Sequence, residues 1–147
     1  MMRIKVIYHS ITGNTKKIAE AIATEVGVEA ESVSCELCDE EVDLLFYGDG
    51  NYASVIHGKT KEFIQSLQFR NIKNIATFGT YGGMDNSLPK LRLFAKKCGL
   101  NVMDESFSCK GKAWGLLNRT RPDERDIENA RKYARNIINK CMNNVNE

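Results

Sequence analysis

The sequence is short of the features that mark several specialised classes of protein. It contains no apolar run long enough to span a membrane and no signal-peptide pattern, so we expect a cytoplasmic protein with no membrane partner. Its net charge is only +2, and no basic tract is interleaved with aromatic residues, which argues against a nucleic-acid partner. No repeat, linker or low-complexity segment interrupts the 147 residues. We therefore expect one globular domain over residues 1–147.

The cysteines give little sign of a metal site or of disulfides. Their number is odd, which fits reduced thiols; they are Cys35, Cys38, Cys98, Cys109 and Cys141. Cys35 and Cys38 have the spacing of a zinc or redox pair. A zinc site would need a second pair of ligands, which is absent, and a thioredoxin-type pair would lie at the start of a helix, whereas this one follows a weakly predicted strand. We interpret this pair as structural thiols and predict no metal. Cys109, at the end of a predicted strand, is interpreted as a buried packing residue.

Strand-like and helix-like segments alternate along the whole chain. The predicted strands cover residues 3–9, 29–35, 44–47, 74–79 and 101–109, and the predicted helices cover 15–26, 55–67, 85–98 and a last segment that opens at 120–123. Pro122 stands at an N-terminal position of this last helix, and we expect the tail after Lys140 to fray. Such alternation is typical of an α/β protein whose parallel sheet carries helices on both faces.

The segment between the first strand and the first helix carries the clearest chemical signal. It reads Ser10-Ile11-Thr12-Gly13-Asn14-Thr15, with three hydroxyl side chains, an amide and a glycine. At a helix N-terminus such a loop can offer several N–H and O–H donors to one phosphate. It contains no lysine, unlike a nucleotide P-loop, and so suits a phosphomonoester that stays bound. The alternative is a loop that only caps its own helix.

This loop matches the phosphate-binding motif of the flavodoxins, Ser/Thr-x-Thr-Gly-x-Thr, at every specified position. Two later segments are similar to the loops that hold the isoalloxazine ring in short-chain flavodoxins: Gly48-Asp49-Gly50-Asn51-Tyr52 and Thr80-Tyr81-Gly82-Gly83-Met84-Asp85. The chain as a whole thus resembles a short-chain, FMN-binding flavodoxin. The resemblance implies a flavodoxin-like three-layer sandwich with a five-stranded parallel sheet of order 2-1-3-4-5, in which the three loops converge at one edge.

The resemblance also implies FMN as the cofactor and assigns residues to its two ends. The phosphate would be held by the side chains of Ser10, Thr12, Asn14 and Thr15 and by the backbone N–H groups of Ile11, Gly13 and Asn14. The remaining implied contacts, at the ring, are Asp49, Gly50, Asn51, Tyr52, Thr80, Tyr81, Gly82, Gly83, Met84 and Asp85.

At the ring, the resemblance implies that a carbonyl of Asp49-Gly50 or Gly50-Asn51 faces N5 and stabilises the semiquinone. The alternative for this loop is a plain turn that ends the strand. Tyr52 and Tyr81 would stack on the ring or else lie at its rim without contact. Many flavodoxins carry a tryptophan near Gly83 or Met84, and its absence leaves one face covered by Met84 or open.

The leading hypothesis for the function is an electron carrier that shuttles electrons between a flavin or iron–sulfur reductase and a client enzyme. One alternative is a small FMN-dependent reductase that uses a nicotinamide cofactor, which an open ring face would suit. Another is a dedicated flavoprotein activator of one partner enzyme. Flavodoxins are typically acidic, so a net charge of +2 is a departure. The basic segment 110–121, with Trp114, is interpreted as a partner-docking surface or as a loop that covers the sheet edge.

Overall fold

The fold is built around a five-stranded parallel sheet. A computed structural model describes residues 1–33, 40–51, 54–85, 87–113 and 117–145. The strands are β1 (Ile4–Tyr8), β2 (Ala30–Ser32), β3 (Leu44–Gly50), β4 (Ile75–Tyr81) and β5 (Val102–Lys110), and the helices are α1 (Asn14–Val26), α2 (Gly58–Ser66), α3 (Ser87–Lys97) and α4 (Glu124–Val145). The strands lie in the order β2-β1-β3-β4-β5, as the resemblance implied. Parallel pairing throughout brings every strand's carboxyl end to the same edge of the sheet.

Helices cover both faces of the sheet because its buried strands are apolar on both sides. Successive residues of β1 point to opposite faces: Val6 packs with α1 and α4, whereas Ile7 packs with α2 and α3. Both side chains are fully buried. The two clusters make the three-layer sandwich expected for this strand order.

The third strand is longer than its sequence pattern predicts. The prediction ended it at Tyr47, but pairing continues through Gly50, which lies opposite Thr80 of β4. Gly48 permits this extension, since a Cβ atom at that position would lie 2.1 Å from the ring of Phe78. The glycines therefore belong to the strand itself, and the alternative of a plain turn after residue 47 is wrong for residues 48–50.

The last helix differs from its prediction at both ends. It begins at Glu124, and Pro122 precedes the helix instead of lying inside its first turn. Asp123 and Asp126 form a reciprocal cap: the N–H of Asp126 donates to Asp123 Oδ1 at 3.0 Å, and the N–H of Asp123 donates to Asp126 Oδ2 at 2.9 Å. The expected fraying after Lys140 is wrong through residue 145, because Cys141 is buried in the core.

Candidate functional site

The loop between β1 and α1 leaves the helix N-terminus without a side-chain cap. Gly13 is the N-cap residue of α1, with φ of 90°. As a glycine it has no side chain that could accept an N–H of the first helical turn. Ser10 instead bonds to the N-cap residue itself: its Oγ accepts the N–H of Gly13 at 3.1 Å. A side-chain cap would need a Ser, Thr, Asp or Asn at this position instead of Gly13. The first turn of α1 thus presents its positive dipole end toward the loop.

The polar side chains of this loop are tied together and to neighbouring loops. The amide nitrogen of Asn14 donates to Thr12 Oγ1 at 3.0 Å and to the carbonyl oxygen of Lys112 at 2.8 Å. The hydroxyl of Thr15 is buried and bonds to that of Thr80 at 2.8 Å. The hydroxyl groups of Ser10 and Thr12 accept in these contacts, so each keeps its own proton to donate.

The two loops expected at the ring are also joined to one another. The N–H of Asn51 donates to the carbonyl oxygen of Thr80 at 2.9 Å, and its side-chain amide donates to the carbonyl oxygen of Met84. Asn51 Oδ1 accepts the N–H of Ser54 at 3.0 Å. Asn51 therefore sets the spacing between the loop after β3 and the loop after β4.

These loops enclose a cavity of about 380 Å³ at the carboxyl edge of the sheet, here called the rim cavity. Its volume lies in the range of small-molecule and cofactor sites. It is lined by Thr12, Asn14, Gly50, Asn51, Ser54, Thr80, Tyr81, Gly82, Gly83, Met84, Lys112 and Ala113. Nine of these twelve residues come from the three loops that the sequence singled out. The segments found separately along the chain therefore meet around a single cavity.

Six residues of the predicted site do not line the rim cavity: Ser10, Ile11, Gly13, Thr15, Asp49 and Asp85. Ser10 and Gly13 shape the loop beneath it, and the Thr15 hydroxyl is turned toward Thr80. Asp85 lies outside, where its carboxylate accepts the hydroxyl of Ser108 at 2.5 Å. Tyr52, Cys35, Cys38 and Trp114 lie outside the described residues.

Asp49 is the largest departure from the expected site. Its side chain is only 8% exposed and turns into the protein, where its Oδ1 accepts the N–H of Gly50 at 2.7 Å. His9 and Thr60 bond to the same carboxylate. The side chain of Asp49 therefore supports the loop after β3 from below.

The sequence-based prediction missed three lining residues: Ser54, Lys112 and Ala113. The last two lie in the basic segment 110–121, which was flagged only as a docking surface or edge cover. Ala113 packs against the loop after β4, since a Cβ at Gly82 would lie 2.6 Å from the Cβ of Ala113. The carbonyl oxygen of Gly82 also accepts the side-chain amide of Asn118 at 2.7 Å. Lys112 and Ala113, near the start of the basic segment, thus form one wall of the rim cavity.

The described thiols take no part in this site. Cys109 is buried as predicted, and burial raises the pKa of its thiol to about 12, so it is not a nucleophile near neutral pH. Within the described ranges no group of His, Cys, Asp and Glu side chains could hold a metal ion. No described helix is both long enough and apolar enough to cross a membrane.

A family model for the flavodoxin domain matches residues 5–118. The chain belongs to the flavodoxin family. The match runs from β1 into the basic segment and so contains all three loops of the rim cavity. Family membership and fold support a flavin-binding redox role for this flavodoxin.

The chain is also similar to individual proteins. Uncharacterized protein MJ0298 of Methanocaldococcus jannaschii is 31% identical over 150 residues, which cover 93% of this chain and 99% of that protein. The structure of a flavodoxin from the domain Archaea superposes with a TM-score of 0.81 at 23% identity, over 96% of this chain and 99% of that one. A flavoprotein from Lactobacillus acidophilus, solved in complex with FMN, has a TM-score of 0.59 at 16% identity, over 75% of this chain and 93% of that one.

Proposed function

We propose that this flavodoxin binds FMN in the rim cavity and carries electrons between a reductase and a client enzyme. The observation that carries the proposal is the continuity of the cavity. It extends from Thr12 and Asn14 at the start of α1 to Gly50 at the end of β3 and to residues 80–84, which begin in the last two residues of β4. A phosphate at the first end and a flavin ring at the second would use all three loops at once.

The chemistry of the lining suits a phosphomonoester. The described lining residues include no carboxylate, and Lys112 is the charged residue among them. The dipole of α1 favours an anion at its N-terminus. The hydroxyl protons of Ser10 and Thr12 and the N–H groups at the start of α1 are donors at this end. The L. acidophilus flavoprotein, which shares the fold, was solved with FMN.

The ring end of the cavity suits transfer of electrons to a partner. Bound FMN would supply a centre that accepts and releases electrons singly, and the protein has to hold it with one edge reachable. Met84, which lines this end, is 66% exposed. The cavity therefore reaches the surface where a partner protein can approach.

The same exposed lining favours a second candidate, a reductase that takes hydride from a nicotinamide cofactor. Gly82 and Gly83, which line this end beside Met84, have no side chains, and a nicotinamide could approach the ring there. A carrier and a reductase differ in what reduces the bound flavin directly.

The first experiment is a titration of the purified protein with FMN, followed by visible absorption and by quenching of flavin fluorescence. Thr12→Val should weaken binding about ten- to a hundredfold, because a hydrogen bond to a charged group is lost. Thr24→Val is the matched control, since the Thr24 hydroxyl is exposed near the far end of α1 and donates to the carbonyl oxygen of Glu20 at 2.9 Å. No binding of FMN by the wild type would overturn the proposal.

A second experiment separates carrier from reductase. The FMN-loaded protein is mixed without oxygen with NADH or NADPH, and in parallel with dithionite. Stepwise reduction by dithionite together with no rapid oxidation of either nicotinamide supports the carrier. Rapid oxidation of NADH or NADPH would contradict it in favour of the reductase.

A further inference from the structure

A series of hydrogen-bonded, buried polar side chains contains Asp49, the neighbour of Gly50, which lines the rim cavity. The hydroxyl of Tyr47 bonds to Thr60 Oγ1 at 2.7 Å, and Thr60 donates to Asp49 Oδ2 at 2.5 Å. The other carboxylate oxygen, Oδ1, lies 2.8 Å from His9 Nδ1. All four side chains are buried, in a part of the core that is otherwise apolar. Polar groups in such a place are costly unless they are fully hydrogen-bonded.

The backbone of β3 shows why a carboxylate is needed there. In a parallel strand, successive residues direct their N–H and C=O groups to opposite neighbours. The N–H of Asn51 donates to Thr80 of β4, whereas the carbonyl oxygen of Gly48 accepts from the N–H of His9 at the end of β1. By this alternation the N–H and C=O groups of Gly50 point toward the β1 side. The strand β1 ends at Tyr8, which pairs with Gly48, so the ladder between β1 and β3 stops before it reaches Gly50. A buried N–H that has lost its strand partner must find another acceptor.

Asp49 supplies that acceptor. Its Oδ1 takes the N–H of Gly50 at 2.7 Å, in place of the carbonyl oxygen that a longer β1 would have provided. A carboxylate only accepts, so three donors converge on it: the Gly50 N–H, the Thr60 hydroxyl and the Nδ1–H of His9. The ring of His9 lies against that of His57, with a centroid distance of 4.2 Å and an angle of 32° between the ring planes. The carboxylate is thus held in one orientation from three sides.

We propose that Asp49 is a positioning residue for the flavin, an inference that rests on the proposed binding of FMN. By holding the N–H of Gly50, it fixes the peptide plane between residues 49 and 50 and so the backbone of Gly50, which lines the rim cavity. Its buried negative charge also opposes the addition of a second electron to the ring above it. His9 and Thr60 act through Asp49 by fixing its carboxylate.

The experiment compares the FMN-loaded wild type with Asp49→Asn in a spectroelectrochemical titration that resolves the two one-electron potentials. Asparagine keeps the shape of the side chain and removes the charge. The second potential should rise by at least about 59 mV, which corresponds to a tenfold change in the equilibrium constant for one electron. The first potential should change less. Asp104→Asn, an exposed carboxylate on β5, is the matched control. Potentials that match those of the control would overturn the inference.

A second pair of variants covers the case in which Asp49→Asn does not fold. Thr60→Val removes one donor to the carboxylate and keeps its charge, whereas Thr60→Ser keeps the donor. We expect Thr60→Val to shift the Gly50 amide resonance of the FMN-free protein and to shift the second potential of the loaded protein, and Thr60→Ser to do neither. Identical resonances and potentials in the two variants would contradict the role of Asp49.

The two proposals fail in different ways. No binding of FMN by the wild type overturns the proposed function, and the Gly50 resonance still reports whether the carboxylate holds that N–H. Tight FMN binding with unchanged potentials in Asp49→Asn overturns only the positioning role.

Discussion

The side-chain amide of Asn14 donates to the carbonyl oxygen of Lys112 at 2.8 Å and so joins the first loop of the rim cavity to the last. The two residues are 98 positions apart in the chain. Gly111 lies against this contact, since a Cβ there would come 2.6 Å from the Asn14 amide nitrogen. Gly111 and Lys112, at the start of the basic segment, are therefore held against the first residue of α1.

Replacing Asn14 with Asp should loosen this wall and weaken FMN binding about tenfold or more. A carboxylate cannot donate to the oxygens of Thr12 and Lys112, and it adds a negative charge beside the proposed phosphate site. The measurement is FMN affinity by fluorescence quenching. Asn101→Asp is the control, because the Asn101 amide also donates to two oxygens but at the opposite edge of the sheet. Equal affinities in the two variants would contradict the prediction.

Gly13→Ala should destabilise the fold by about 1 kcal/mol and should also weaken FMN binding. Gly13 has φ of 90°, where an L side chain is strained, although a Cβ there would meet no atom within 4 Å. Gly27→Ala is a closely matched control: φ is 78°, the space is equally open, and the position is at the far end of α1. Urea unfolding should show similar losses for both variants, and only Gly13→Ala should lose affinity. Unchanged affinity in Gly13→Ala would count against the phosphate site.

Gly48→Ala should destabilise the protein by about 1–3 kcal/mol or more, because the new methyl group overlaps the buried ring of Phe78. Combining it with Phe78→Leu should cost less than the sum of the two single changes, since the smaller side chain relieves the overlap. Gly58→Ala, where a Cβ would have nothing within 4 Å, should cost little. Chemical unfolding measures all four variants. Additive losses would show that Gly48 and Phe78 do not compete for the same space.

Asp126→Asn should lower stability by about 1–2 kcal/mol at pH 7 and by less as the solution is acidified. Burial alone would raise the pKa of Asp126, but hydrogen bonds from Arg121 and from the backbone of Asp123 hold it below the ordinary value of 3.8. A carboxyl with a lowered pKa stabilises the fold above its unfolded pKa and loses that effect as the pH falls through its folded pKa. The difference from wild type should therefore narrow below about pH 4. Urea unfolding between pH 7 and pH 3 tests this, and a difference that does not change with pH would contradict it.

Cys109 should react with iodoacetamide far more slowly than Cys98 in the native protein. Burial raises the pKa of Cys109 to about 12, which leaves about one thiolate in ten thousand at pH 8, whereas Cys98 is only half-buried. Site-resolved mass spectrometry after timed alkylation measures both rates. In urea the two rates should converge, and early labelling of Cys109 in the native protein would contradict its buried position.

Much of the site could be predicted from local sequence because its loops have local causes. The loop from Ser10 to Thr15 needs small polar residues and a glycine with positive φ where a strand gives way to a helix. Residues 50–51 and 80–84 were found by their resemblance to loops that follow neighbouring strands of a known family. Parallel strands place such loops at one edge, so their convergence followed from the strand order.

What the sequence pattern could not predict depends on contacts between distant segments. Lys112 lines the rim cavity, and its carbonyl oxygen accepts the side-chain amide of Asn14 from 98 positions earlier in the chain. The inward orientation of the Asp49 side chain depends on two distant conditions. The pairing of β1 with β3 must end before it reaches Gly50, and Thr60 and His9 must bring their donors to the carboxylate from other parts of the fold. The local sequence of residues 48–51 contains no pattern that predicts any of these contacts.

The sequence by itself determined the alternation of strands and helices, the composition of the phosphate loop and the family to which the chain belongs, because each depends on residues close together in the chain. Tertiary structure alone decided that residues 48–50 continue β3, that Lys112 and Ala113 of the basic segment line the rim cavity, and that the Asp49 side chain is directed into the protein. These features arise where a backbone group or a side chain must find a partner from another element, and the sheet order chooses that partner.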